Sequence, residues 1–190
     1  MSNRARDGLP LVALLAATAA IAAANPQPLA SGGRLHSALQ IKPGLWQFDD
    51  NAKVTGEAVF PDAVLAGVPE GQRAQHLAEL RQMISRPSRE RECVTQAIFE
   101  QRLFAIETSC KRTVQSNTPA RLEIQTECED VSGSLKQHKT AQILATSSTS
   151  VTTSFHAVNS RAGKSMTVNS VENGHWLSSN CGNVHGIEQL

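Results

Sequence analysis

Tyrosine is missing from this chain of 190 residues, and all aromatics together make up 4% of it. So thin a supply of rings argues against a carbohydrate groove, whose platforms are stacked aromatics. Charge of one sign is missing too. Eighteen Lys and Arg stand against seventeen Asp and Glu, for a net charge of +1. That balance offers no footprint for nucleic acid or for an anionic membrane surface. There is no C-x-x-C pair: Cys93, Cys110, Cys128 and Cys181 are 17, 18 and 53 residues apart. Zinc sites and redox dithiols want close pairs, so metal and thiol chemistry are both disfavoured. Neither G-x-S-x-G nor H-E-x-x-H nor a phosphate-binding glycine loop occurs, which removes the linear signatures of serine hydrolases, zinc hydrolases and nucleotide enzymes. No catalytic residue, metal ligand or cofactor is assigned. After residue 24 no apolar run is long enough to span a bilayer.

One long apolar run is present, at the start. Arg4 and Arg6 precede residues 9–24, and the run closes on Ala22, Ala23 and Ala24. About sixteen residues fall short of the ~20 that cross a membrane. Basic start, short apolar stretch and small-residue end are the parts of a cleaved secretory signal, with the cut expected before Asn25. No cysteine follows the run, so no lipoprotein attachment site exists. The mature chain of 166 residues has the length of one domain. An oxidising compartment turns its four cysteines into expected disulfide partners.

Residues 25–40, with Pro26, Pro28, Ser31, Gly32 and Gly33, read as a flexible linker, and the folded domain is expected over 41–190. Trp46 and Phe48 share one face of a first strand. That strand runs on, through a break at Asp49-Asp50-Asn51, toward Val59 and Phe60. Residues 72–84 carry Ala74, Leu77, Leu80 and Ile84 at helical spacing, and Pro87 ends the helix. A short helical turn is expected at 95–102. In 120–128, Leu122, Ile124, Thr126 and Cys128 alternate with polar residues as a half-buried strand does. Its hairpin partner is 107–116, and further strands are expected at 131–138, 141–147, 150–158 and 164–177, with Asn173-Gly174 read as a turn. The fold class is mostly β (α+β): a curved antiparallel meander, open-barrel or sandwich-like, with one amphipathic helix packed on it.

Four cysteines allow three pairings. Placing Cys110 opposite Cys128 also pairs Val114 with Ile124, which keeps apolar side chains together. Cys93 then joins Cys181. The alternative, Cys93 with Cys110 and Cys128 with Cys181, stays open.

The remaining polar features read blandly. His156 lies beside Phe155 in a strand and reads as packed or surface. Neighbours on a strand point to opposite faces, so Asp49-Asp50 is poorly placed for shared chemistry and reads as a turn or bulge. Glu127, Glu129 and Asp130 read as a solvated edge. Arg86, Arg89 and Arg91 alternate with Glu90 and Glu92 and read as an exposed strand. Trp46 and Trp176 stand out against the aromatic scarcity as candidates to line a ligand pocket, with core packing the plainer reading. Leu77, Leu80 and Ile84 are candidates for partner contact.

Three blocks occur in order: Lys42-Pro43-Gly44-Leu45-Trp46; the helix followed by Cys93-Val94-Thr95-Gln96; and strand-borne Cys110 and Cys128, then Gly133 and Cys181. Over roughly residues 41–182 this order resembles the bacterial exported family catalogued as domain of unknown function 3617. No glycine stands just before Cys181, which departs from the family's pattern. The resemblance implies a small periplasmic or envelope protein and brings no activity or catalytic residue with it. The expected function is a non-catalytic periplasmic protein binding a small lipophile or an envelope protein through its sheet or the helix–sheet crevice. The alternatives are an envelope hydrolase without a linear motif and an envelope-stress protein acting by protein contact, with an exposed patch at Leu77, Leu80 and Ile84. Nucleic acid and an integral membrane span are not expected.

Overall fold

The computed structural model describes residues 37–96, 110–130, 133–184 and 187–189. The chain forms β1 (Gly44–Gly56), a helix α1 (Arg73–Ile84), then β2 (Ser88–Val94), β3 (Cys110–Asn117), β4 (Arg121–Glu129), β5 (Lys136–Ser147), β6 (Ser150–Arg161), β7 (Lys164–Ser178) and the short β8 (Ile187–Gln189). All strands belong to one antiparallel sheet, ordered β3-β4-β5-β6-β7-β1-β2-β8. Five consecutive strands make the expected meander, and β1 closes onto β7 with β2 beyond it. The sheet is open, with β3 and β8 at its edges.

Paired residues on neighbouring strands share a face, so the registers sort every side chain. Trp46, Phe48, Asp50, Ala52 and Val54 of β1 lie on one side, together with Val94 of β2, Val168 and Met166 of β7, Val151 and Ala157 of β6, Ile143 of β5 and Leu122 and Ile124 of β4. Val94, from one end of the strand order, shares an apolar cluster with Leu122 and Ile124 from the other. Contacts between strands so far apart in the order require the sheet to curl, making this its inner face. Two apolar clusters fill the ends of that face. One joins Trp46, Val94, Leu122, Ile124, Ile143 and Val151 to Leu39 and Ile41 from the entering chain. The other joins Ala52, Ala157, Met166 and Val168 to Val59, Phe60, Leu135 and the helix.

Helix α1 begins one residue after the start expected from spacing. Leu80 and Ile84 are buried and Leu77 packs beside them. Each fully buried aliphatic side chain contributes roughly 1.5–3 kcal/mol, which holds the helix against the sheet. These residues therefore do not form an exposed partner patch: the apolar stripe faces the core, and Met83 is the exposed large apolar residue of the helix. No helix among the described residues is long and apolar enough to cross a membrane.

Several sequence expectations need correction. β1 runs unbroken through Asp49-Asp50-Asn51, because each residue there pairs with both β7 and β2 or with β7 alone. Residues 136–147 form one strand, not parts of two. Asn173-Gly174 is no turn; it lies inside β7, where a Cβ on Gly174 would meet the Phe48 ring at 2.5 Å. The glycine makes room for that ring. Charged Glu127 and Glu129 sit on β4, which is covered by β3 and is no edge. Of the stretch 25–40, residues 37–40 are described, and they pack: Leu39 is 4% exposed and the Gln40 amide donates to the Pro119 carbonyl. The signal segment 1–24 lies outside the described residues, as do most of the expected helical turn at 95–102 and the first residues of the strand expected at 107–116.

The hairpin β3–β4 has the anticipated register. Cys110 pairs with Cys128 and Val114 with Ile124, followed by a bulge between Val114 and Ser116. Disulfides join Cys110 to Cys128 and Cys93 to Cys181. The second pins β2 to the segment that follows β7.

Candidate functional site: a polar belt inside the sheet

Between the two apolar clusters the inner face turns polar. Counting by twos from Val94 places Glu92, Glu90 and Ser88 inward on β2. The same count places Asp50 inward on β1, Glu172 and Ser170 on β7, and Thr153 on β6. Farther round the curl the inward positions are Lys139 on β5, Thr126 on β4 and Arg112 on β3. The belt thus has an acidic side, β2-β1-β7, and a basic side, β5 to β3.

The acidic side is crowded. Asp50 and Glu172 are direct cross-strand partners, and Asp50 also pairs with Ser88. Glu90 and Glu92 are buried, at 9% and 7% exposure. Burial pushes the Glu172 carboxyl up to about 7, helped by the negative charges of Asp50, Glu90 and Glu92, while a hydrogen bond from Thr153 opposes the rise. Burial also raises the Asp50 carboxyl, against the Ser170 hydroxyl that donates to its Oδ1. Asp50 is 9% exposed, and its Oδ2 is sealed from solvent with no hydrogen-bond partner among the described residues. Ser88 Oγ, across the ladder, is sealed and unpartnered in the same sense.

Asp49 behaves oppositely. It faces outward, and the Arg89 guanidinium bonded to it lowers its carboxyl. The two neighbouring aspartates do point to opposite faces, as strand geometry demands, but each joins a different set of partners across the sheet.

The aromatic residues border the belt. Trp46 is fully buried, stacked on Phe48 with ring centroids 6.0 Å apart, and its Nε1 donates to the Lys42 carbonyl. Trp176, its cross-strand partner, donates to the Pro43 carbonyl, and the Lys42 ammonium lies 5.1 Å from its ring centre. Both tryptophans therefore anchor the entering chain within the apolar cluster rather than lining an open pocket. Phe48 and Trp46 stand opposite Glu90 and Glu92 in the ladder, so aromatic faces and carboxylates meet at one shoulder of the belt.

The family described as protein of unknown function (DUF3617) matches the chain over residues 41–181. The chain belongs to the DUF3617 family. Curated proteins gave no match. The DUF3617 match spans β1 through β7 and Cys181, and so takes in every belt residue and both disulfides. Its description assigns no activity, which leaves the site to be argued from the geometry.

A concavity of about 280 Å³ opens at the β6–β7 hairpin among Ser134, Lys136, Arg161 and Lys164. Its cations are already engaged: Lys136 with Glu129, Arg161 with Asp62 and Asp130, and Lys164 with Glu57. With four carboxylates against three cations, it is no anion site. On the outer face, His156 bonds Asn169 and His138 lies near Gln125 and Glu127. Among the described residues no group of His, Cys, Asp and Glu is arranged to hold a metal ion.

Sequence reading missed the belt. In the sequence Glu90 and Glu92 read as exposed strand residues and Asp50 as a turn residue, and Glu172 carries no local signal. The signal that finds them is parity: Trp46 and Phe48 fix Asp50 as inward, Val94 fixes Glu92 and Glu90, and Met166 and Val168 fix Glu172.

Proposed function

We propose that this DUF3617 member is an exported, non-catalytic protein that binds a small molecule on the inner face of its curled sheet, over the polar belt. The observation that carries this reading is the inward pair Asp50 and Glu172, direct partners on adjacent strands, with Asp50 Oδ2 sealed from solvent and without a hydrogen-bond partner among the described residues. A sheet that served structure alone would favour apolar side chains at such a pair, since a buried polar atom without a hydrogen bond is costly. The signal-like start and the two disulfides support export to an oxidising compartment, the periplasm of a bacterium. The lipophilic ligand expected from the sequence fits less well. Leu39 and Ile41 already occupy the apolar end of the inner face, and Leu80 and Ile84 fill the space under the helix. The exposed apolar residues Leu144, Val171 and Leu177 lie on separate strands or positions of the outer face and argue little for a protein-docking patch.

An envelope hydrolase is a second reading, favoured by one observation: Glu172, held near neutrality beside Asp50, has the environment of a carboxyl that exchanges protons in catalysis. Native mass spectrometry of the mature protein from its own periplasm separates the readings. A retained adduct that Glu172→Gln loses supports binding. Unliganded protein with a hydrolytic activity abolished by the same change supports the enzyme instead.

A further inference from the structure

We infer that Asp50 and Glu172 form a carboxyl pair that holds one proton between them near the middle of the β1–β7 ladder, and that this pair is a pH-sensitive switch. The inference goes beyond the small-molecule reading and does not depend on it. The two residues are direct partners on adjacent strands, and both face inward. Side chains so paired leave the backbone about 4.5–5.5 Å apart at their Cβ atoms, a gap that a Glu reaching toward an Asp spans. The two oxygens of Asp50 are unlike. Oδ1 accepts from the Ser170 hydroxyl, whereas Oδ2 is sealed from solvent and has no hydrogen-bond partner among the described residues. A sealed acceptor without a donor is costly. A proton on Glu172 turns that carboxyl into an O–H donor directly across the ladder from Oδ2. Thr153, the partner of Glu172 on its other side, donates to the same carboxyl, which has one oxygen for each role. Two carboxylates this close resist ionising together, and such a pair titrates as a unit. Burial supports the sharing from both sides. It lifts Glu172 to about 7, with Asp50 first among the charges that add to the rise, and it lifts Asp50 against the Ser170 hydroxyl and the Asn51 amide.

The surrounding elements leave the proton to this pair. On β2, Glu90 and Glu92 face it and add negative charge. On β6 the neighbour is uncharged Thr153, and on β4 the inward position is Thr126. Lys139 of β5 and Arg112 of β3 are the inward cations across the curl. Those two and both glutamates of β2 have interactions of their own within the chain. Helix α1 meets the inner face through Leu77, Leu80 and Ile84, in the apolar cluster beyond the belt. Below about pH 7 the pair therefore carries one negative charge, and an O–H···O bond ties β1 to β7. Above it the proton leaves to water, the pair carries two charges, and repulsion replaces the bond.

Carbon-13 NMR of the side-chain carboxyls, followed against pH in the mature, disulfide-intact protein, tests the sharing. The carboxyl carbons of Glu172 and Asp50 are expected to move together at one step near pH 7. Asp50→Asn is expected to lower the Glu172 step by about one pH unit or more. Amide hydrogen exchange tests the switch. Protection of the β1 and β7 amides flanking the pair, corrected for the intrinsic exchange rate, should fall about tenfold or more between about pH 6 and pH 8, and should stay level in Glu172→Gln. A Glu172 step in the ordinary range near 4.5 overturns the inference. A step near 7 at Glu172 alone, with the Asp50 carbon silent there and Asp50→Asn without effect, makes burial the whole cause and overturns the sharing. A joint step with unchanged protection overturns the switch. The joint step is read on the wild type, so it decides the sharing even if Asp50→Asn fails to fold.

Discussion

Replacing Glu172 by Gln should stabilise the ligand-free protein at alkaline pH and leave it nearly unchanged at acid pH. The carboxyl rises from an ordinary 4.5 to about 7, first through burial and then through Asp50, Glu90 and Glu92. A carboxyl whose folded value lies above its unfolded value binds its proton more tightly in the folded state. Its stabilising contribution is complete below the unfolded value and is lost as pH rises through the folded one. At about 1.4 kcal/mol per pH unit, the loss between pH 4.5 and pH 8 reaches about 3 kcal/mol. Gln keeps the shape and the hydrogen bond to Thr153 but carries no charge, so it avoids that loss. Urea unfolding at pH 5 and pH 8, with disulfides intact, supplies the comparison. The variant should gain about 1–3 kcal/mol on the wild type at pH 8, and much less at pH 5. Other carboxyls change the pH dependence of both proteins alike, so the difference between them isolates this group. A variant that is no more stable at pH 8, with the same pH slope as the wild type, refutes the argument that Glu172 is held against its charge.

Three further outcomes follow from the packing. Removing the Cys93–Cys181 bridge, which closes 88 residues, should cost more than removing Cys110–Cys128, which closes 18; chain entropy gives about 4–5 against about 3 kcal/mol, read from urea midpoints of the paired Ser variants. Leu80→Ala should cost about 2–4 kcal/mol, whereas Met83→Ala on the exposed side of the same helix should cost under about 1 kcal/mol; equal effects would mean the helix does not pack as described. Gly174→Ala pushes a methyl against the Phe48 ring and Val151 and should lower stability by about 1–3 kcal/mol, measured by the shift in thermal midpoint.

Much of this architecture is local, and local pattern made it legible. The β3–β4 register came from the alternation Leu122, Ile124, Thr126, Cys128 set against Val114, and the disulfide pairing came with it. Helix α1 showed itself through Leu77, Leu80 and Ile84 and through Pro87. What stayed hidden depends on strands distant in sequence. Whether Asn173-Gly174 bends or stays extended is decided by Phe48, some 125 residues earlier, whose ring needs the missing Cβ. The alternation Arg89-Glu90-Arg91-Glu92 is charged on both parities, so nothing within it says which half turns inward; Val94 does, once its burial is known. Asp50 was hidden by its neighbour. An Asp-Asp-Asn run suggests a turn, but pairing on both sides keeps the strand extended.

The double change separates the two reasons for the rise at Glu172. If burial alone holds that carboxyl up, removing the charge of Asp50 leaves the gain from Glu172→Gln intact, and the two substitutions add. If Asp50 repels it, as two carboxylates paired across adjacent strands must, either substitution relieves the same repulsion, and the second gains less than the first. A double-mutant cycle over Asp50→Asn and Glu172→Gln at pH 8 reads the difference directly. Residues in contact couple by about 0.5–3 kcal/mol, and a coupling in that range, vanishing at pH 5 where Glu172 is protonated, is the expected result. Strict additivity at both pH values would leave desolvation as the whole cause.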